Sequence, residues 1–191
     1  KAEWLWKIMF FLSVFFTLSI AFASFINHST SLIIALILTI LKVFKRNPFT
    51  HNISELFIYG GLASVFAPIL NTLSAIILLL LISAYDIIAV FKTKHMVKMA
   101  KFQTKMKLFA GLLIPYGKNK IAVLGGGDIG MPLLFSAVLM KTSLQSALII
   151  PLFSTLALLY LMLMGQKNKF YPAMPFITVG CLIGYFISIL L

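Results

Sequence analysis

Residues 73–91 read LSAIILLLLISAYDIIAVF, an apolar run whose only charged side chain is that of Asp86. A helix of this length spans about 28 Å, close to the thickness of the hydrocarbon core of a bilayer. A carboxylate in hydrocarbon costs about 2.5–3.5 kcal/mol even on lenient insertion scales, so such a residue is typical of a functional site with a partner. The run therefore predicts a transmembrane helix that carries a functional aspartate.

A second apolar run carries a second aspartate. Residues 121–140 contain Asp128, which follows three consecutive glycines. Asp86 lies about 8 Å and Asp128 about 10 Å from the helix ends that face the intervening segment, at the usual helical rise. Two carboxyl groups on neighbouring antiparallel helices are therefore expected at one level, each as the partner of the other.

The composition indicates an integral membrane protein. Hydrophobic residues make up 61% of the chain and charged residues 10%, and the mean hydropathy is +1.07. The net charge of +12 comes from short basic clusters between apolar runs, which is typical of cytoplasmic loops rather than of a nucleic-acid binder. A single cysteine, Cys181, excludes an internal disulfide and a thiolate metal cluster.

The chain is predicted to be an all-α transmembrane bundle in one domain. Asn52 and Glu55 have the spacing of a capping box, which predicts that Glu55 lies at a helix entrance near the interface. Seven spans are predicted, at residues 4–26, 31–44, 53–70, 73–91, 121–140, 144–164 and 171–191.

Residues 92–107 differ in kind from the spans. Lysines alternate there with methionine and phenylalanine at spacings of three to four, which predicts a basic amphipathic helix that contacts anionic lipid. If this segment is cytoplasmic, every basic residue except Lys141 lies on the same side and the C-terminus lies on the other. Because the chain begins without an initiating methionine, we expect an upstream portion to be missing.

Two carboxylates held together at low dielectric share one proton, because both cannot ionise. Such a pair is the machinery of aspartic proteolysis, in which the ionised member activates a water and the protonated member donates to the carbonyl oxygen. Gly125 and Gly127 would let a substrate backbone approach Asp128, or would form a small-residue packing face. Tyr85 would orient a carboxyl group or line a substrate pocket, or would pack near the interface.

Three short motifs together resemble those of the presenilin and signal peptide peptidase family of intramembrane aspartyl proteases, closest to its archaeal-type homologues. The motifs are Tyr85-Asp86, Gly125-Gly126-Gly127-Asp128 and Pro172-Ala173-Met174-Pro175. The resemblance implies that Asp86 and Asp128 are the catalytic pair. It also implies that Pro172-Ala173-Met174, which stands where the family has Pro-Ala-Leu, shapes the active site and engages substrate.

The family has nine spans, so the resemblance implies that the first two are absent from this sequence. It also implies the presenilin orientation, with the basic loop in the cytoplasm. The segment between Lys92 and Lys120 is short beside the corresponding loop of family members.

Other chemistries are disfavoured or left as alternatives. The chain has no His-Glu-x-x-His and no Gly-x-Ser-Gly, and we expect His28, His51 and His95 to be loop or interfacial residues, so neither a metal nor another cofactor is predicted. A prepilin or preflagellin peptidase also uses Gly-x-Gly-Asp. A proton or cation transporter, or a leak channel, would use two facing carboxylates as well.

The expected partners are membrane lipids and protein or peptide substrates that form transmembrane helices. Cleavage of such a helix requires local unwinding, and the freed strand needs backbone partners in hydrocarbon. We expect it to pair with the backbone near Pro172–Met174 and with the segment ahead of Gly125.

Overall fold

Helices dominate the chain because a backbone in hydrocarbon must satisfy its hydrogen bonds within its own segment. The computed structural model describes residues 3–45, 47–92, 110–115, 121–164 and 171–190. The elements are α1 (Glu3–Ala23), α2 (His28–Ile40) with a π-helical turn (Leu41–Lys45), α3 (Pro48–Phe66), α4 (Thr72–Phe91), β1 (Gly111–Pro115), β2 (Ile121–Gly125), α5 (Gly126–Leu139), α6 (Leu144–Met164) and α7 (Met174–Leu190).

The predicted helical membrane fold is confirmed. Among the described residues, four helices are long and apolar enough to cross a membrane, and α5 and α7 are shorter apolar helices. The four are Trp4–Ala23, His28–Lys45, Thr72–Phe91 and Leu144–Met164. The short predicted span at 31–44 is longer in the structure because the π-helical turn continues α2.

The predicted span at 121–140 is divided between a strand and a helix. Residues 121–125 form β2, which pairs antiparallel with β1, and α5 begins at Gly126. Hydropathy alone does not separate a short apolar strand from a helical turn. The amphipathic helix predicted at 92–107 lies, apart from its first residue, outside the described residues.

The chain divides into two compact units. The first comprises Lys1–Val65 and Gln103–Gly126, and the second comprises Phe66–Phe102 and Gly127–Leu191. In the first unit the buried core joins α1, α2 and α3, with the rings of Phe22 and Phe57 4.6 Å apart. In the second, α4, α5, α6 and α7 share one apolar cluster, whose fully buried members are Leu79, Phe135, Ile150, Ile177 and Cys181.

Close packing of α6 on α7 depends on two glycines. A Cβ atom at Gly180 would lie 2.6 Å from the carbonyl oxygen of Phe153, and one at Gly184 would lie 3.1 Å from the Cα of Ile150. Small residues at such positions let helix backbones approach closely, which is how membrane helices gain packing energy without a hydrophobic driving force. This contact holds α7, and with it the Pro172–Met174 segment, against the core of the second unit.

Candidate active site

Asp86 lies in the last two turns of α4 and is only 4% exposed. Its Oδ2 accepts a hydrogen bond from the backbone N–H of Met174 at 3.1 Å, and the N–H of Ala173 also interacts with this carboxyl group. The structure therefore brings together the Tyr-Asp motif and the Pro-Ala-x-Pro motif, which are far apart in sequence.

The start of α7 explains why Asp86 is bound there. Ala173 is the N-cap position, because its carbonyl accepts the first helical bond from Ile177 N–H at 3.1 Å. An alanine side chain has no oxygen with which to cap the free N–H groups of the first turn. Pro172 and Pro175 carry no N–H, so among residues 172–175 only Ala173 and Met174 offer a backbone donor. A carboxylate at this helix N-terminus is favoured by the helix dipole.

Asp128 lies in the first turn of α5 and is partly exposed. Lys141, just past the C-terminal end of α5, donates to the carbonyls of Pro68 (3.3 Å) and Leu70 (2.8 Å), immediately ahead of α4. The end of α5 thus lies beside the start of α4. Asp86 stands about 21 Å along α4 from Thr72, and Asp128 stands about 17 Å along α5 from Leu139, at 1.5 Å per residue.

The buried core that α4 and α5 share gives a second measure of where the two aspartates lie along their helices. Leu79 of α4 and Phe135 of α5 belong to one buried cluster. Asp86 follows Leu79 by seven residues and Asp128 precedes Phe135 by seven. Because two helical turns are close to seven residues, each aspartate lies on the same face as its core residue and about 10 Å beyond it. Each aspartate therefore lies about two helical turns from a member of one buried cluster.

The three glycines ahead of Asp128 differ in their surroundings. Gly125 ends β2 opposite Gly111, which has a φ of 157°. A Cβ at Gly126 would lie 2.7 Å from the hydroxyl oxygen of Tyr59, so a larger residue there would displace the Tyr59 side chain. Gly127 has no atom within 4 Å of the position its Cβ would occupy. Gly127 therefore has open space beside it, whereas Gly126 does not.

Tyr85 is 62% exposed and lies on the outer face of α4, whereas Asp86 next to it is buried. Successive helical residues point about 100° apart, which accounts for the difference. The hydroxyl is thus placed toward lipid or an approaching substrate rather than toward the core. Its predicted role in lining a substrate pocket stays a prediction.

The capping-box interpretation of Asn52 and Glu55 is wrong. Helix α3 begins earlier, at Pro48, a residue suited to the first helical position because its missing N–H is not needed there. Glu55 is 1% exposed inside the helix and forms an ion pair with Lys42, which is 5% exposed. Asn52 instead bonds to the backbone of Leu113.

Of the two places expected for His51, a loop or the interface, the loop is wrong. His51 lies in α3, and its Nε2 is 2.9 Å from the carbonyl oxygen of Gly111 and 3.8 Å from Glu55 Oε1. The sequence did contain a signal, since His51, Asn52 and Glu55 lie close together on one side of a helix. Within the described ranges, no group of three or more His, Cys, Asp or Glu side chains is placed to hold a metal ion.

The apolar helices and the buried aspartate define a class, that of multi-pass helical membrane proteins with acidic groups at membrane depth. The sequence profile of the family described as signal-peptide peptidase, presenilin aspartyl protease matches residues 5–120. This is more than half of the chain and includes Tyr85-Asp86. The chain belongs to this family and is an aspartic intramembrane protease.

A solved structure of a presenilin family intramembrane aspartate protease is similar to this chain, with a TM-score of 0.71 and 20% sequence identity. The alignment covers 97% of this chain and 72% of that one. At this identity the likeness shows a shared fold. No curated protein matches the chain. Membership of the family favours proteolysis over the transporter and leak-channel alternatives.

Proposed function

We propose that Asp86 and Asp128 form the catalytic dyad of this intramembrane aspartic protease, and that its substrates are transmembrane helices of membrane proteins. The observation that carries the proposal is the register of α4 and α5. Both aspartates lie seven residues from buried members of one apolar cluster, Leu79 and Phe135, in the direction of the same end of the bundle. That register supports a meeting of the two carboxyl groups at one level.

The dyad would work with one shared proton. The ionised carboxylate takes a proton from a water while the water oxygen bonds to the peptide carbonyl carbon, and the protonated carboxyl donates to the carbonyl oxygen. Breakdown of the resulting diol breaks the C–N bond, and the departing amine takes a proton from the dyad. Both carboxyl groups are needed, because each must act as acid in one step and as base in the other.

Pro172, Ala173 and Met174 are proposed to hold Asp86 and to border the bound substrate. Support comes from the Met174 N–H bond to Asp86 and from the two prolines, which leave Ala173 as the one other backbone donor among residues 172–175. The substrate carbonyl polarised by Asp86 would then lie beside this segment. The defined backbone conformation at the start of α7 would thereby position both Asp86 and the bound substrate.

Strand addition is proposed as the way in which the unwound substrate is held. A substrate segment that leaves its helix loses its own hydrogen-bond ladder and needs a sheet edge in its place. The β1–β2 hairpin ends at Gly125, three residues before Asp128 in the chain. A strand added to β2 would therefore be carried toward the first turn of α5, past the open space at Gly127.

The test is cleavage of a synthetic transmembrane-helix peptide by the purified protein in lipid bilayers. The wild type should cleave it, and Asp128→Asn should not, although thermal unfolding shows the variant to be folded. Turnover by folded Asp128→Asn at the wild-type rate would refute the dyad.

A further inference from the structure

The outer edge of β1 is covered by two neighbouring side chains of α3, those of Asn52 and His51. Asn52 Nδ2 donates to the carbonyl oxygen of Leu113 at 2.7 Å, and Asn52 Oδ1 accepts from Leu113 N–H at 2.9 Å. These are the two bonds that a residue of a neighbouring strand would make. One residue earlier on α3, His51 Nε2 bonds to the carbonyl of Gly111. These two side chains of α3 therefore make bonds that a third strand beside β1 would otherwise make.

The pairing pattern shows which backbone groups form the second edge of the hairpin, on the side of β2 that faces away from β1. Gly126 N–H donates to the carbonyl of Ala110 at 3.2 Å, so residues 110, 112 and 114 of the first strand face β2. By the same alternation, the backbone groups of Val123 and Gly125 point away from β1. These outward groups form the second edge of the hairpin.

A buried polar cluster fixes the position of Asn52. Glu55 lies one turn from His51 on α3 and pairs with Lys42 of the π-helical turn, whose ammonium lies 5.8 Å from the centre of the Phe10 ring. Buried ion pairs contribute little net stability, but they have few alternative geometries in which both charges are satisfied. The cluster therefore restrains the rotation and depth of α3, and with them the two bonds to Leu113.

We propose that Asn52 is a positioning residue that closes the β1 edge and sets the register of the hairpin, so that substrate strands add only to β2. This rests on the proposed function. The register determines which backbone groups of β2 face outward, and β2 is joined to Asp128 through only Gly126 and Gly127. A hairpin that slips or admits a strand at β1 would present a different substrate bond for cleavage, because a one-residue slip reverses the direction of every group.

The experiment uses Asn52→Leu, which removes both bonds to Leu113 at similar volume, and Asn52→Asp, which keeps the acceptor for Leu113 N–H and loses the donor. The matched control is Asn71→Leu, because Asn71 accepts from Ser74 N–H at 2.8 Å as the cap of α4 and takes no part in the hairpin. Two quantities are measured in bilayers. They are amide hydrogen exchange over residues 110–115, and the ratio of cleavage products of one transmembrane-helix peptide by mass spectrometry.

We expect exchange in that segment to rise about tenfold in Asn52→Leu, in line with the loss of a hydrogen bond from the partly buried Leu113 amide. The share of product cut at bonds next to the main site should rise at least about threefold. Asn52→Asp should show the same shifts to a smaller degree, and Asn71→Leu should show neither. A merely structural role would lower total activity in parallel with stability and leave the product ratio unchanged.

Faster exchange with an unchanged product ratio would overturn the positioning role, and so would unchanged exchange. Asp128→Asn is assayed alongside to separate the two proposals. If folded Asp128→Asn cleaves like the wild type, the dyad has failed. If it is inactive while Asn52→Leu keeps the wild-type product ratio, only the positioning inference has failed. Should Asn52→Leu not fold, Asn52→Asp decides the outcome by the same two measurements.

Discussion

The carboxylate of Asp86 caps the helix that begins at Met174, eighty-eight residues away, with a distance of 3.1 Å between Oδ2 and the Met174 nitrogen. Asp86 thus has two roles. Its carboxyl group is proposed for catalysis, and it also accepts a hydrogen bond from a helix start that has no capping side chain of its own. Charge at Asp86 favours this contact, since N–H donors at a helix N-terminus bind anions.

The two tasks of Asp86 can be separated by a pair of substitutions. Asp86→Asn keeps an oxygen that can accept the Met174 N–H but cannot exchange a proton with water. We expect kcat to fall by about 10³-fold or more, which is within the range of a lost general acid or base. Thermal unfolding should change by only a few degrees.

Asp86→Ala removes the cap as well, and it should lower the free energy of unfolding by about 1 kcal/mol beyond the effect of Asp86→Asn. The comparison is made by denaturation of the two purified variants under identical conditions. Equal stability of the two would show that the helix start does not depend on the carboxyl oxygen.

Met174 is expected to serve Asp86 through its backbone rather than its side chain. Met174→Leu keeps the N–H and nearly the same volume, so stability should fall by less than about 1.5 kcal/mol and kcat/KM should stay within about twofold of the wild type. Met174→Ala also keeps the N–H but leaves a cavity at a 4% exposed position, and should cost about 2–5 kcal/mol. A large loss of activity in a stable Met174→Leu variant would assign the side chain a direct role.

The aspartates could be predicted from the sequence because their signal is local. A charge within an apolar run is costly whatever surrounds it, so Asp86 and Asp128 can be identified as candidate functional residues without knowledge of the fold. The strand at 121–125 could not be predicted in this way, since Ile, Val and Leu suit a buried strand and a membrane helix equally well. The partner that decides between them, β1, is a separate segment of the chain.

Glu55 shows how a local pattern can mislead. Its spacing from Asn52 matches a capping box, but α3 starts upstream at Pro48 and both side chains make contacts distant in sequence. Lys42, the partner of Glu55, appeared as one more basic residue of a cytoplasmic cluster. Its burial depends on the continuation of α2 by the π-helical turn, which no residue type in this stretch specifies.

The Lys42–Glu55 pair is expected to be costly to break but replaceable as a unit. Glu55→Leu alone leaves a buried ammonium without its partner and should lower stability by about 3–5 kcal/mol, and Lys42→Met alone should act similarly. The double variant should recover most of that loss, because two apolar side chains carry no desolvation penalty. A double-mutant cycle of unfolding free energies in detergent measures the coupling. Additive effects would show that the two charges do not depend on each other.

Gly126 and Gly127 should respond oppositely to the same substitution. Gly126→Ala places a methyl group 2.7 Å from the Tyr59 hydroxyl and should destabilise the protein, whereas Gly127→Ala meets no atom within 4 Å. Because alanine is a better helix former than glycine, Gly127→Ala should keep or raise stability, by up to about 1 kcal/mol. If a substrate backbone passes Gly127 on its way to Asp128, the added methyl group should nevertheless lower kcat/KM by about tenfold. Thermal unfolding and peptide cleavage are measured on both variants, and a wild-type kcat/KM for Gly127→Ala would show that the substrate does not pass this side of α5.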